Sequence, residues 1–212
     1  MAWIYYVRHG GLSDPSEIYN NTDIMYNVFI NQYGGTLEAF CALLGNVYAE
    51  SGYNPGNMET VEPEPNYNDG LGLIQWTKSP IQSQNPLLDW TEDMGYRWYD
   101  GDRQMWLIME EHNVGAWLPS IVHPEYNYTW EQFMQMTDIE LAVKTYLWER
   151  ERPNEQYAQS TLPDRIQQAR DMYQHYAGHP PTPPTPTTPK KKLDFFPLLY
   201  RKIMNGKYFW KE

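Results

Sequence analysis

The spacing of apolar residues along the chain predicts a mostly α protein. The clearest stretch repeats apolar side chains at intervals of three or four, at Leu37, Phe40, Leu43, Leu44, Val47 and Tyr48. This pattern predicts a helix over 37–50 with a broad apolar stripe. Thr36 is the predicted N-cap, and Gly52 is the predicted C-terminal cap. The helix therefore ends at Glu50.

Further helices are predicted on both sides of this stretch, over 15–33, 101–113, 129–136, 138–149 and 163–177. Pro15 belongs in the first turn of the first of these helices, and Gly34-Gly35 ends it. We expect the last helix to begin after Leu162-Pro163, because proline is favoured in a first turn and disfavoured in a helix interior.

Two of these helices carry a capping-box pattern at the start. Thr129 is followed three residues later by Gln132, and Thr137 is followed by Glu140. A side-chain oxygen at the first position and a glutamine or glutamate at the second satisfy free backbone N–H groups at a helix start. The interval 53–70 is rich in Pro, Asn and Gly and is predicted to be a loop.

A proline-rich stretch over 178–192 predicts a semi-rigid linker. It separates a main domain over 1–177 from a short tail over 193–212. From Lys190 onward, seven basic and two acidic residues give a net charge of +5. Because the whole chain has a net charge of −11, the residues before Lys190 have a net charge of −16. The main domain is thus strongly acidic, and we expect no nucleic-acid partner for it.

The amino-acid composition further limits the classes of protein to which the chain can belong. Aromatic residues make up 16% of the chain, with 9 Trp and 18 Tyr, enough to fill a core and leave rings for stacking on sugars. The single Cys41 excludes an internal disulfide, and the five His have no metal-ligand spacing. No phosphate-binding glycine loop is found, so we expect no cofactor. No apolar run is long enough to predict a transmembrane segment, and the N-terminus does not resemble a signal peptide.

Glu50 is the candidate catalytic acid. It lies at the end of an apolar helix, where burial and the negative end of the helix dipole both favour the protonated carboxyl. An acid that keeps its proton near neutral pH is what cleavage of a glycosidic bond requires. The competing interpretation is a solvated glutamate at a helix end, which is the commoner fate of this residue type.

The second half of the predicted site is the segment from Gly70 to Thr77. Gly70 and Gly72 allow close backbone approach, Gln75 offers a hydrogen-bond donor and Trp76 a stacking face. The alternative is a buried turn with a core tryptophan. Asp69 is the candidate second carboxylate, which would hold a water or stabilise positive charge on the sugar. The nearby acidic residues Glu59, Glu62 and Glu64 could do the same, but we favour a solvated acidic loop for them.

Three short motifs together resemble the phage tail lysozyme family. They are Ala49-Glu50-Ser51-Gly52-Tyr53-Asn54-Pro55, Gly72-Leu73-Ile74-Gln75-Trp76-Thr77 and Trp148-Glu149-Arg150-Glu151-Arg152-Pro153. The Glu-Ser pair followed by Gly-Leu-Ile-Gln is also similar to soluble lytic transglycosylases and goose-type lysozymes. The resemblance covers about 20–177. It departs from the family at Lys78-Ser79-Pro80, where arginines are common.

The resemblance implies a mostly α, lysozyme-like fold with a small loop or β region. It implies that Glu50 is the catalytic acid, and that the substrate-binding residues are Ser51, Tyr53, Gly72, Gln75, Trp76, Trp148 and Glu149. The implied activity is muramidase-type cleavage of bacterial peptidoglycan by a protein carried on a virion, in the phage tail. A lytic transglycosylase that uses the same glutamate, and a silent glycan-binding or structural tail component, remain alternatives.

The tail over 193–212 generates the first prediction. Its six aromatic residues cannot be buried by so short a segment alone, so we expect it to dock on a partner. The acidic main domain and an anionic membrane surface are two possible partners. We favour a third, another virion protein. Truncation after Gly178 should then leave cleavage of purified cell wall intact but remove the protein from assembled particles. Continued incorporation of the truncated chain, scored by immunoblotting purified virions, would contradict the anchor.

Overall fold

The structure, a computed structural model, describes residues 1–60, 68–77, 85–93 and 95–181. The prediction of a mostly α fold is confirmed for these residues. The tail, the linker from 182 onward, Glu62, Glu64 and Lys78-Ser79-Pro80 all lie outside them. The last described helix ends at Gly178, close to the predicted end of the main domain. The division into domain, linker and tail stays a prediction.

Seven α-helices are present in the described residues: α1 (Pro15–Tyr26), α2 (Leu37–Ser51), α3 (Pro86–Asp93), α4 (Gly101–Glu110), α5 (Trp130–Met134), α6 (Ile139–Tyr146) and α7 (Glu155–Gly178). Two of them continue as π-helical segments, α1 into Asn27–Gln32 and α6 into Leu147–Glu151. Short 3₁₀ turns occupy Glu111–Val114 and Pro124–Tyr126. Strand structure in the described part of the chain amounts to three isolated bridges, which join Arg8 to Asn57, Met58 to Leu71 and Leu71 to Trp76.

Helix α2 forms the centre of the core, and its predicted caps are confirmed. The Thr36 side chain accepts a hydrogen bond from the Ala39 N–H at 3.2 Å. Gly52 adopts the left-handed conformation, with φ of 52°, and its N–H donates to the Tyr48 carbonyl. Every residue from Ala39 to Val47 is buried. Helices α6 and α7 pack against this helix and cover it.

The predicted capping box on α5 is confirmed, but the one on α6 is wrong. Thr129 and Gln132 exchange side-chain and backbone hydrogen bonds at the start of α5. On α6 the N-cap is Asp138, whose Oδ1 accepts from the Leu141 N–H at 3.0 Å. Thr137 lies one residue too early. Asp is as good an N-cap as Thr, so neighbouring caps of this kind compete and sequence alone does not rank them.

Helix α7 begins eight residues earlier than predicted. Its N-cap is Asn154, whose Oδ1 accepts from the Tyr157 N–H at 2.9 Å, and Pro163 lies inside the helix. The proline removes one backbone hydrogen bond. The first turns of the helix are nevertheless stabilised, because Asn154 caps them and Ala158 is fully buried. This early start carries Tyr157 into the region of Glu50. Helix α3 was not predicted at all.

No helix in the described ranges is long and apolar enough to span a membrane. Cys41 is a buried free thiol, and burial raises its pKa. A buried, protonated thiol is chemically inert. Cys41 is therefore part of the core, as the apolar residues around it predicted.

A close approach between two core helices generates the second prediction. Helices α2 and α7 meet at Gly45, where an added Cβ would lie 3.0 Å from the Ala169 Cβ and clash with the Arg165 carbonyl. Gly45→Ala should therefore force the helices apart and destabilise the fold by about 1–3 kcal/mol, the usual cost of overpacking. Chemical denaturation measures it. Gly178→Ala is the matched control, because an added Cβ there meets no described heavy atom within 4 Å. Equal stability of both variants would contradict the tight contact.

Candidate active site

A cleft of about 630 Å³ runs past the end of α2. We call it the Glu50 cleft. Six parts of the chain line it: the N-terminal segment, the end of α2, the loop that follows α2, the turn that ends at Thr77, the start of α3, and the stretch from the π-helical segment to the start of α7. Its polar and aromatic lining consists of His9, Glu50, Asn57, Glu59, Gln75, Trp76, Thr77, Arg150, Glu151, Arg152 and Tyr157.

Glu50 lies at the wall of this cleft, with its side chain 13% exposed. One of its carboxylate oxygens accepts a hydrogen bond from the Arg165 guanidinium. Arg165 is fully buried and also donates to Asn46 Oδ1 at 2.9 Å and to Thr161 Oγ1 at 3.3 Å. The sequence predicted apolar surroundings for the glutamate. The structure instead holds it against a buried cation.

Glu151 is the second carboxyl that lines this cleft, close enough to Glu50 for that side chain to affect its pKa. Burial raises the pKa of Glu151 well above its usual range, and the Glu50 charge raises it further. Arg165 and Arg150 act in the opposite direction. Glu151 was not among the predicted site residues. Its place in the Trp148–Pro153 motif was the only signal in the sequence that could have identified it.

Trp76 is fixed at the cleft by a polar chain. Its Nε1–H donates to Glu111 Oε2 at 3.2 Å, and Arg150 Nη2 donates to the same oxygen at 2.8 Å. The Arg150 Nε–H bonds the other Glu111 oxygen, so this pair is bidentate. The Arg150 guanidinium is thus committed to Glu111, while its position still brings positive charge close to Glu151.

The predicted glycine-rich segment forms a tight turn that supports the cleft. Leu71 and Trp76 exchange backbone hydrogen bonds of 3.1 and 2.9 Å. Gly72 has φ of 77°, and an added Cβ would lie 2.6 Å from the Gln104 Oε1 that accepts from the Leu73 N–H. Gln75 also has positive φ, and its Nε2 donates to the Gly72 carbonyl. The turn thereby presents Gln75 to the cleft, whereas Trp76 forms part of the wall with a side chain that is only 4% exposed and packs in the core, as the alternative interpretation of this segment predicted.

Asp69 is not among the residues that line the cleft in the described part of the chain. It is buried, and its Oδ2 accepts from Thr60 Oγ1 at 2.7 Å. Glu59, for which we favoured a solvated loop, does line the cleft. Its Oε2 accepts from the Gly70 N–H at 2.8 Å, which fixes the carboxylate on the turn.

The other predicted binding residues lie behind the cleft or away from it. Ser51 and Tyr53 are buried, and they bond the Val47 carbonyl and Gln168 Nε2. The Trp148 and His123 rings are tilted against each other with centroids 4.1 Å apart, while Glu149 accepts from the Ser120 N–H at 3.1 Å. These four side chains position the elements that carry the site. Direct contact between any of them and a substrate stays a prediction.

Within residues 1–60, 68–77, 85–93 and 95–181, no group of three His, Cys, Asp or Glu side chains is arranged to hold a metal ion. Two acidic side chains at or next to the cleft are paired with arginines: Glu50 contacts Arg165, and Glu111 contacts Arg150. Carboxyl groups that line a cleft, as Glu50, Glu59 and Glu151 do, can transfer protons to and from a bound substrate.

A helical domain whose central helix ends in a glutamate at a cleft, facing a Gly-Leu-Ile-Gln-Trp turn, has the build of a lysozyme-like glycosidase. The chain belongs to the phage tail lysozyme family, whose model matches residues 20–176. This confirms the resemblance seen in the sequence. Membership implies lysozyme-like cell-wall hydrolysis and a role in a phage virion.

One relative places the chain in a larger context. Over 182 residues it is 29% identical to "Morphogenesis protein 1" of Bacillus phage B103. The match covers 84% of this chain but 45% of that protein. The chain thus spans about half the length of this relative.

Proposed function

We propose that the protein hydrolyses the glycan strand of bacterial peptidoglycan between N-acetylmuramic acid and N-acetylglucosamine. Glu50 is the general acid of this reaction. The observation that carries the proposal is the position of the Glu50 carboxyl at the wall of a cleft that also contains Gln75 and Trp76. The family match supports the substrate class.

The chemistry follows from this placement. A sugar chain in the cleft would pass the Glu50 carboxyl, which protonates the bridging oxygen as the C–O bond breaks. The partly exposed Gln75 side chain is placed to orient the sugars through hydrogen bonding, while the buried Trp76 ring supports the wall behind it. Water then adds to the sugar carbon that carried the bond.

Glu59 is the carboxylate best placed to support attack by water. It lines the same cleft as Glu50, and the Gly70 N–H holds one of its oxygens. Asp69 was our candidate from sequence, but it is bound to Thr60 within the turn. We therefore assign the water-holding role to Glu59 and give Asp69 a part in shaping the turn.

The third prediction tests Glu50. Glu50→Gln keeps the size and removes the proton donor, so release of soluble fragments from purified peptidoglycan should fall by about 10²–10⁴-fold. Glu131→Gln, at an exposed position in the first turn of α5, is the matched control and should retain activity. Circular dichroism verifies that both variants fold. A folded Glu50→Gln protein with wild-type activity would exclude Glu50 as the acid.

A lytic transglycosylase is the second candidate, favoured by the position of Asp69 away from the cleft. In that reaction one glutamate acts first as acid and then as base, and the substrate's own hydroxyl closes an anhydro ring. The fourth prediction is that mass spectrometry of released muropeptides finds reducing ends, each heavier by one water than an anhydro end. Detection of anhydro ends would contradict hydrolysis and show that the protein is a lytic transglycosylase. Binding to sacculi without any soluble product would favour a glycan-binding role.

We place this activity in the phage tail, at the bacterial cell wall. The family supports a virion role, and the name of the B103 relative concerns morphogenesis. Local opening of the wall is what a tail needs to reach the membrane. Peptidoglycan is thus the substrate partner, and residues 193–212 are the proposed attachment to another virion protein.

A further inference from the structure

The Glu50 cleft contains more acid than a single general acid requires. Two carboxyls, from the end of α2 and the end of the π-helical segment, lie at the same wall. We infer that Glu50 and Glu151 share one proton, and that Glu151 is the positioning residue that supplies this proton to Glu50. The inference rests on the proposed glycosidase function and identifies how its acid is kept protonated.

The first argument is the balance of charge. Arg165 is fully buried and bonds Glu50 directly, and its charge also acts on Glu151. Arg150 is engaged by both oxygens of Glu111. Two ionised carboxylates at this wall would therefore depend mainly on the Arg165 guanidinium. Like charges this close do not both ionise in a poorly solvated site, and one proton is retained by the pair.

The second argument concerns the atom that would hold the proton. Glu151 Oε1 is buried, and no described residue donates a hydrogen bond to it. An ionised carboxylate with an uncompensated buried oxygen is costly. The same carboxyl is stable when protonated, because it can then donate to Glu50. The raised pKa of Glu151 is consistent with this direction.

Among the described residues, the other titratable side chains around Glu50 and Glu151 are less suited than Glu151 to donate a proton to Glu50. The other titratable or charged side chains around the pair are His9, Glu59, Tyr146, Arg150, Arg152 and Tyr157. Burial raises the pKa of Tyr146 and of Tyr157, so both phenols stay neutral. The arginines stay charged. Glu59 is exposed, and His9 Nδ1 is engaged with the Met58 carbonyl.

The proton path balances through one turnover. The Glu151 carboxyl passes its proton to Glu50, which passes it to the bridging oxygen as the C–O bond breaks. Water adds OH to the sugar carbon and returns its proton to the pair. Without Glu151, Glu50 would face Arg165 with no like charge beside it. Its proton would then be lost at lower pH.

The test compares Glu151→Gln with wild type and with the surface control Glu131→Gln. For Glu151→Gln, the alkaline limb of kcat/KM against pH should move to lower pH by about one unit or more. Activity should recover as the pH falls. Glu151→Asp should restore part of the wild-type limb. An equal loss at every pH, with the limb unmoved, would reduce Glu151 to a structural role and overturn the inference.

A second measurement needs no substrate. Titration of ¹³C-labelled glutamate carboxyls by NMR should show a raised pKa for Glu151 in wild type and Glu131→Gln, besides the raised pKa that burial gives Glu149. The Glu151 signal should be absent in Glu151→Gln, whereas the Glu149 signal should remain. Ordinary titration of Glu151 in wild type would overturn the shared proton. If the raised titration is found but Glu50→Gln cleaves peptidoglycan normally, the proposed function fails while the pair remains, so the two failures are distinguishable.

Discussion

The buried guanidinium of Arg165 is the interaction on which both the core and the cleft depend. An arginine with no exposed surface must place its N–H groups on acceptors, because an unpaired buried charge costs several kcal/mol. Arg165 does so on Asn46 and Glu50, both from α2. These bonds require α2 and α7 to lie very close, and Gly45 against Ala169 provides that approach. The packing of the two helices and the placement of the acid are therefore one constraint.

The π-helical segment over Leu147–Glu151 explains how the second carboxyl reaches the same place. A π-helical turn contains more residues than an α-helical turn, so it rotates the following side chains relative to a continuous α-helix. Arg150 and Glu151 line the cleft, whereas Trp148 and Glu149 pack beneath the loop around Ser120 and His123. Arg152, in the left-handed conformation with φ of 51°, then ends the segment. Residues that are adjacent in sequence thus lie on opposite sides of the cleft wall, one pair facing the cleft and the other packed behind it.

The sequence predicted well what local chemistry decides. The stripe of α2, the caps at Thr36 and Gly52, and the capping box at Thr129 depend on residues within one or two turns of each other. The failures concern choices that distant contacts settle. Pro163 was expected to begin a helix, but the burial of Ala158 and Arg165 keeps the helix intact on both sides of it. A glutamate at a helix end looks the same in sequence whether water or an arginine 115 positions away surrounds it.

The pair formed by Glu50 and Glu151 also lowers the stability of the folded protein. A carboxyl whose pKa is raised by folding binds its proton more tightly in the folded state than in the unfolded chain. Folding is then unpenalised at low pH and loses stability as pH rises from the unfolded pKa towards the folded one. Glu151 is in this position, and Arg165 offsets part of the cost. Replacing the two carboxyls with apolar side chains would relieve the penalty, but it would also remove the proton that we propose this wall of the cleft delivers to the substrate. The charge arrangement that lowers stability is therefore the same one that the proposed acid catalysis requires.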